Sequence, residues 1–319
     1  MGPQDIMAPA GPQAEHLLEL WWIMIAVCGL VFIAVLAALF WALARAPRAA
    51  PGTPPDLGSL GRAERGARLA VAAALALSGA LLVLLMVASF VTDRALARLA
   101  APDLRIDVTA HKWWWEARYD DSDPSRTFTT ANELHIPVGK SVLLRLGSDD
   151  VIHSLWVPNL AGKKDLIPGR QASLALQAKN AGTYRGQCAE FCGVQHAKMA
   201  FLVIAHEPDD YEAWAAAQRK PALEPATAQQ KRGREIFLST TCAMCHAIQG
   251  TSANARRAPD LTHLASRQTI AAGTLPMSKG NLYGWVADPQ SLKPGTKMPT
   301  IGLEPNELHS VVAYLETLK

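Results

Sequence analysis

Residues 104–110 read LRIDVTA, with Leu104, Ile106, Val108 and Ala110 alternating against Arg105, Asp107 and Thr109. A two-residue period sends one set of side chains to one face of a β-strand and the other set to the opposite face, so this run predicts a strand with one side in a core. Six more runs of alternating or β-branched character follow: KWWWEARY (112–119), NELHIPV (132–138), KSVLLRLG (140–147), VIHSLWVP (151–158), ASLALQA (172–178) and MAFLVIAH (199–206). Turn residues at Asp120–Pro124, Gly162 and Gly182 separate them. So many short strands in roughly 100 residues imply a β-sandwich or barrel over 101–207.

On the N-terminal side, Leu20–Ala44 and Leu69–Thr92 contain no Asp, Glu, Lys or Arg. As helices, at ~1.5 Å per residue, each reaches roughly 36 Å and exceeds the ~30 Å hydrocarbon core of a bilayer. Residues 1–100 therefore read as a tail and a transmembrane helix hairpin, with helices at about 18–44 and 69–95. The connecting loop holds Arg45, Arg48, Arg62, Arg65 and Arg68 against Asp56 and Glu64, whereas Asp5, Glu15 and Glu19 are the charges before the first run. The positive-inside rule puts that loop in the cytoplasm, and both termini and everything after about Asp93 on the other side. The first run lacks a basic leader and is too long for a cleavable signal peptide; cleavage within the first 15 residues stays open.

Charged residues make up 18% of the chain, below the ~25% of soluble proteins. The deficit lies in the two apolar runs, which excludes both a wholly soluble protein and a polytopic channel. A net charge of +3, with no basic run outside the loop, gives no sign of a nucleic-acid partner.

On the C-terminal side, DDYEAWAAAQ (209–218) reads as a short helix and Pro221–Gln229 as a Pro/Ala-rich stretch, so 208–228 reads as a linker with a short helix. A flexible tether of about 20 residues spans ~25 Å r.m.s. and gives millimolar effective concentration. Beyond it, KRGREIF (231–237) and the apolar face Leu308, Val311, Val312, Leu315 and Leu318 indicate a small all-α domain over 229–319.

Of the five cysteines, Cys28 in the first apolar run reads as a small hydrophobe. Cys242-Ala243-Met244-Cys245-His246 is the c-type haem attachment signature: two thiols placed for thioether bonds, and an adjacent imidazole to reach the iron. A second axial ligand is expected from Met298 in KPGTKMPTIG, with Met277 in TLPMSKG as the rival. A thioredoxin-like pair would need a βαβ setting that is not evident. In Cys188-Ala189-Glu190-Phe191-Cys192-Gly193-Val194-Gln195-His196-Ala197-Lys198-Met199, with His153 upstream, two thiolates four residues apart can bridge two metal ions. Two imidazoles and a thioether are at hand, and this soft set favours copper over zinc. A disulfide or a Cys2His2 zinc site is the alternative. Neither site offers a nucleophile, a general base or an open metal position, so the pattern is that of an electron relay.

At these residues the chain resembles subunit II of the haem-copper oxidases with a fused class I cytochrome c, the caa-type arrangement. The likeness runs from the apolar helices to His206, and over about 226–319 it includes Gly233, Phe237, Pro259-Asp260-Leu261 and Tyr314. It implies a cupredoxin-like CuA domain. In that family's pattern Cys188 and Cys192 bridge two coppers, His153 and Met199 serve one, and His196 with the backbone carbonyl of Glu190 serves the other. The Glu190 side chain would hold magnesium at the contact with subunit I, and Trp113 of His111–Trp115 would receive electrons, with Trp114 and Trp115 packing. Trp114 stands where the family commonly has Tyr. Implied partners are subunit I, subunit III, an external electron donor and the lipid bilayer. A CuA-bearing small subunit of a nitric oxide reductase, and a membrane-anchored copper-delivery or redox-sensing module, are the competing functions. A nitrous oxide reductase would need a large His-rich domain that is not evident. Residues 101–207 balance twelve basic against twelve acidic residues, so no net field recruits a donor; 226–319 carry ten basic and six acidic.

Overall fold

The computed structural model describes residues 4–46, 48, 50–54, 57–61, 64–97 and 102–319. Asp56 and Arg62 of the loop, and the expected boundary at 100/101, lie outside these residues. Two compact units result: residues 16–98, and the rest of the chain.

Helix α1 (Pro12–Arg45) and helix α2 (Arg65–Ala97) contain the two apolar runs, α1 starting well before its run and ending one residue after it. Their side chains are exposed almost throughout, Leu30 at 68% and Phe32 at 64%, and Cys28 is among them. Helices apolar all round, without a protein partner to cover them, are suited to lipid.

The second unit holds the sandwich. Its strands are β1 (Leu104–His111), β2 (Trp114–Tyr119), β3 (Phe128–Ala131), β4 (Glu133–Pro137), β5 (Val142–Ser148), β6 (His153–Trp156), β7 (Lys164–Leu166), β8 (Ala172–Leu176), β9 (Gly182–Cys188) and β10 (Ala200–His206). They form two five-stranded sheets, ordered β3-β2-β1-β5-β8 and β4-β10-β9-β6-β7. The pairs β1/β5 and β4/β10 are parallel and the others antiparallel. Ile106, Val108 and Ala110 point inward opposite Leu144 and Leu146 and are almost fully buried. The intervening Asp107 pairs with Arg145 on the outer face, where Arg145 also meets Asp120 at 2.9 Å.

Residues 5–14, ahead of the apolar part of α1, lie on this sandwich: Ala10 N–H donates to Asn159 O at 2.7 Å and Lys179 N–H to Ala10 O at 2.8 Å. A Cβ at Gly11 would come within 2.2 Å of the Gln177 carbonyl oxygen, so only glycine allows this approach.

After β10, helix α3 (Pro208–Gln218) packs on the sandwich through Tyr211, Ala215 and Trp214. Trp214 stacks on His135 with ring centroids 4.0 Å apart. The stretch that follows is also held, as Ala222 N–H donates to Gln249 O and His263 Nε2 faces Lys220 O, each at 3.0 Å. Residues 208–228 are thus packed along much of their length, unlike a free tether.

The C-terminal domain begins with α4 (Ala228–Ser239), whose N-terminus is closed by a reciprocal Thr227–Gln230 capping box. It crosses α7 (Pro305–Leu315), the terminal helix with the expected apolar face. Gly233 sits at the crossing, where a Cβ would come within 1.9 Å of Ser310 O; Phe237 meets Tyr314 edge-on at 6.1 Å. Between them lie the hairpin β11 (Thr269–Ile270) and β12 (Leu275–Pro276), then α5 (Lys279–Ala287) and α6 (Pro289–Leu292).

Candidate metal and haem sites

The loop from the end of β9 to the start of β10 brings the metal donors together. Cys188 and Cys192 are free and buried, and their sulfurs are 3.8 Å apart, far beyond the ~2.05 Å of a disulfide. His153, at the start of β6 and fully buried, has Nδ1 3.8 Å from the Cys188 sulfur. On the other side, His196 Nδ1 lies 3.6 Å from the Cys192 sulfur, and Met199 Sδ lies 3.8 Å from it. The Glu190 carbonyl oxygen is 3.2 Å from the Cys188 sulfur. Two sulfurs at the centre, with two imidazoles, a thioether and a carbonyl around them, fit a pair of soft metal ions.

The local fold fixes this set. The Cys188 N–H donates to Met199 O at 2.9 Å and the Met199 N–H to His196 O at 3.2 Å, so the loop is closed on itself. Cys188 is pulled below the usual thiol range by its hydrogen bonds with Cys192 and His153, and Cys192 is pushed up in return because the two thiols share one charge.

His153 Nε2 faces Asp150 Oδ1 at 2.9 Å. Donation of that N–H leaves Nδ1 free for a metal. Burial works against the Asp150 charge, but hydrogen bonds from His153, Lys112 N–H, Val151 N–H and Lys297 hold its carboxyl down at about 2. Asp150 was not among the sequence candidates; its place three residues before His153 is the signal that could have found it.

The Glu190 side chain is 43% exposed and lies 3.9 Å from Lys163 Nζ. Among the described residues, the clustered His, Cys and carboxylate donors are His153, Cys188 and Cys192, and the Glu190 carboxylate is not with them.

In the C-terminal domain, a cavity of about 360 Å³ is lined by Cys242, Cys245, His246 and Met298, with apolar walls from α4, α5 and α7. Met277 packs at the domain core but does not line this cavity. His246 Nδ1 lies 2.7 Å from Pro259 O, so that nitrogen donates and Nε2 is left for iron. Burial lowers the His246 pKa and keeps the ring neutral, as a ligand must be. The donor set and apolar walls fit a haem. His263 is buried with both ring nitrogens facing carbonyls, of Lys319 at 2.8 Å and Lys220 at 3.0 Å; His309 is exposed beside Tyr283.

Trp113 joins the two sites. Its Nε1 donates to Cys192 O at 3.0 Å, its ring lies against Gly193, and it lines the haem cavity together with Trp114. Trp114 stacks on His111 at 4.3 Å, and Trp115 is in the core against Phe201 with its edge toward His153.

The comparisons agree with this division. The family model "Cytochrome C oxidase subunit II, periplasmic domain" matches residues 121–206, and the model for cytochrome c matches residues 230–319. Cytochrome c oxidase subunit 2 of Alkalihalophilus pseudofirmus is 34% identical over all of this chain and 92% of its own length. The chain belongs to the cytochrome c oxidase subunit 2 family. The subunit 2 of Bacillus subtilis is 32% identical over 70% of this chain and 64% of its own length. A solved structure, the periplasmic domain of subunit II of cytochrome oxidase from Bradyrhizobium japonicum, matches 38% of this chain and 96% of its own at 28% identity and a TM-score of 0.36. As a member of the family the chain is a membrane-bound oxidase subunit with its metal domains on the periplasmic side, and its domains imply a CuA copper pair and one haem c. The expected fold, two apolar helices followed by a cupredoxin-like sandwich and a helical cytochrome c region, is borne out.

Proposed function

We propose that this chain receives electrons from an external donor at its cytochrome c domain, passes them to its sandwich domain, and hands them to haem in subunit I, where dioxygen is reduced to water and protons are translocated. When bound, the haem and the copper pair each supply a one-electron carrier. In this reading Cys242 and Cys245 would attach the haem covalently, and His246 and Met298 would be the side chains that hold its iron. Cys188, Cys192, His153, His196, Met199 and the Glu190 carbonyl would together hold the copper pair, the two thiolates at its centre. Such a rigid set keeps geometry nearly constant on electron transfer.

The observation that carries the proposal is the position of Trp113. Its indole donates to the main chain of Cys192, and the same residue lines the cavity that also holds His246 and Met298. Residues 1–100 would anchor the chain against subunit I, with both termini and the metal domains outside, 101–207 as the copper domain, 208–228 as the connection and 229–319 as the cytochrome. The contacts of residues 5–14 with the sandwich support an outward N-terminus. A magnesium ion at Glu190 would need its remaining oxygen donors from subunit I, and subunit III completes the expected complex.

The test is metal and haem content of the purified complex, with electron paramagnetic resonance. Two coppers sharing one unpaired electron, plus one c-type haem per chain, are expected. A Cys188–Cys192 disulfide or a single zinc would overturn the proposal, and turnover with nitric oxide instead of dioxygen would reassign the acceptor.

A further inference from the structure

Lys293 ends α6 and begins the loop that carries Met298. A lysine there ought to reach solvent, since an unpaired buried ammonium is expensive. It is instead 2% exposed. Its Nζ donates to the carbonyl of Trp113 at 2.9 Å and to that of Ala271 at 3.0 Å. One side chain therefore joins three segments: the Met298 loop, the turn between β11 and β12, and the main chain of the tryptophan beside the copper loop.

The turn it holds is unusual. Ala271, Ala272 and Gly273 have φ of 53°, 58° and 71°, three consecutive left-handed residues, two of them alanines. A side chain with a Cβ is disfavoured in that region by its clash with the following carbonyl. Such a turn persists where surrounding contacts determine it, and here they come from the sandwich. Ala272 O accepts the N–H of Ala200 at 3.0 Å, and a Cβ at Gly273 would come within 2.9 Å of Ala200 Cβ. Around it, Gln195 Nε2 donates to Pro294 O at 2.6 Å and Lys198 Nζ to Leu292 O at 2.7 Å. Both come from the copper loop and reach the two residues that flank Lys293.

We propose that Lys293 is a positioning residue for electron transfer within the chain, its amino group fixing the Met298 loop and the Ala271–Gly273 turn against Trp113. The proposal rests on the relay described above. Lys293 lines the haem cavity, but its hydrogen bonds go to Trp113 O and Ala271 O, not to a candidate donor; it sets the register between the element that closes the haem cavity and the element that abuts Cys192. Burial and the nearby Lys198 bring its pKa down to about 7, opposed by Cys192, consistent with a group held in a dry junction. A pure packing role would be met as well by an unbranched apolar side chain of similar length.

Lys293→Met separates the two. It keeps the volume and removes both hydrogen bonds, and replacing buried charge by an apolar group seldom unfolds a domain. The complete oxidase, reduced by a flash from a ruthenium polypyridyl photoreductant, would be followed at the haem band for electron loss to copper. We expect internal transfer in Lys293→Met to slow at least tenfold, with amide exchange faster at 112–115 and 270–273. The copper resonance signal, the methionine-to-haem absorption band and the melting temperature should remain as in the wild type. An unchanged internal rate in Lys293→Met overturns the proposal. So does a slower rate accompanied by loss of the methionine-to-haem band, which would mark a haem-site defect. If the wild-type chain shows no haem-to-copper transfer, the relay fails first, whatever the variant does.

Discussion

The copper loop and the haem cavity solve the same problem, holding a one-electron carrier, in opposite ways. At the copper loop the protein supplies the order: the ligand-bearing segment is closed by its own backbone hydrogen bonds and His153 is buried against Asp150. In the cytochrome domain each proposed donor is held by a single contact, His246 Nδ1 on Pro259 O and the Met298 carbonyl on Gln290 Nε2 at 2.7 Å, while the walls enclose about 360 Å³ and Met298 is half-buried in a largely exposed loop. The first site is a rack built on a complete core. The second is a core whose largest side would be the prosthetic group itself.

The largest effect should therefore come from losing the haem. Without it the apolar walls of a cavity of about 360 Å³ lose their packing partner, a large loss beside the ~5–15 kcal/mol that holds a whole domain together. Cys242→Ala with Cys245→Ala should leave residues 229–319 unfolded and fully exchanging, while the sandwich keeps its copper signal. Protection persisting in α4 and α7 would break the comparison. The complementary change, Cys192→Ser, should abolish the copper pair and leave haem attachment intact, with the sandwich still melting cooperatively. Loss of both cofactors in folded Cys192→Ser protein would sink the two-site assignment.

A smaller effect tests whether the helix crossing frames the haem cavity. Gly233→Ala puts a methyl within 1.9 Å of Ser310 O, so α4 and α7 must separate. Overpacking of this kind costs about 3 kcal/mol, a fall of roughly 12–24 °C in the melting temperature of a domain this size. The sandwich transition in the same scan should not move. Smaller again, Asp150→Asn keeps the shape but removes the charge that orients His153 and pairs with Lys297. Copper affinity measured by chelator competition should fall about tenfold, with the haem spectrum unchanged. An unaltered affinity would mean that loop closure alone orients the imidazole.

How much of this was legible follows from where each residue finds its partner. The strands could be read because period-two alternation is local, and the candidate copper and haem donors because most lie within a few residues of one another. What local pattern could not show is β4 buried along its whole length. Simple alternation against Leu134 and Ile136 would put Glu133 and His135 on an outer face. Instead the Glu133 carboxylate accepts the N–H groups of Gln268 at 2.7 Å and Thr269 at 3.2 Å, and His135 lies under Trp214 with Nδ1 2.7 Å from His206 Nε2. The partners of Glu133 are 135 and 136 residues away, and no spacing rule reaches that far. Lys293 was hidden for the same reason: it is charged, buried, and held by carbonyls 180 and 22 residues away. The packed course of 208–228 also replaces the expected free tether, since Tyr211 and Trp214 commit α3 to the sandwich.

The smallest effect concerns the junction between the two regions, and its sign is fixed by Lys293. In an open junction its amino group has the ordinary value of 10.5; in the closed one burial brings it to about 7. Between these values the open form binds more protons, so closing releases up to one proton and is favoured as pH rises from 7 toward 10.5. Below pH 7 both forms are protonated and the dependence vanishes. The neutral amine still has two N–H groups for Trp113 O and Ala271 O, so deprotonation does not cost the contacts. Protection of 270–273 against amide exchange, corrected for the intrinsic base-catalysed rate, should thus increase between pH 7 and 9, by at most tenfold per unit. Lys293→Met should flatten that rise while leaving the absolute protection lower at every pH. A wild-type profile that falls over this range would mean that the charged form holds the junction together. Closing would then be driven by charge-assisted hydrogen bonds strong enough to outweigh burial, and the two regions would be joined by the kind of polar contact that neither uses to build its own core.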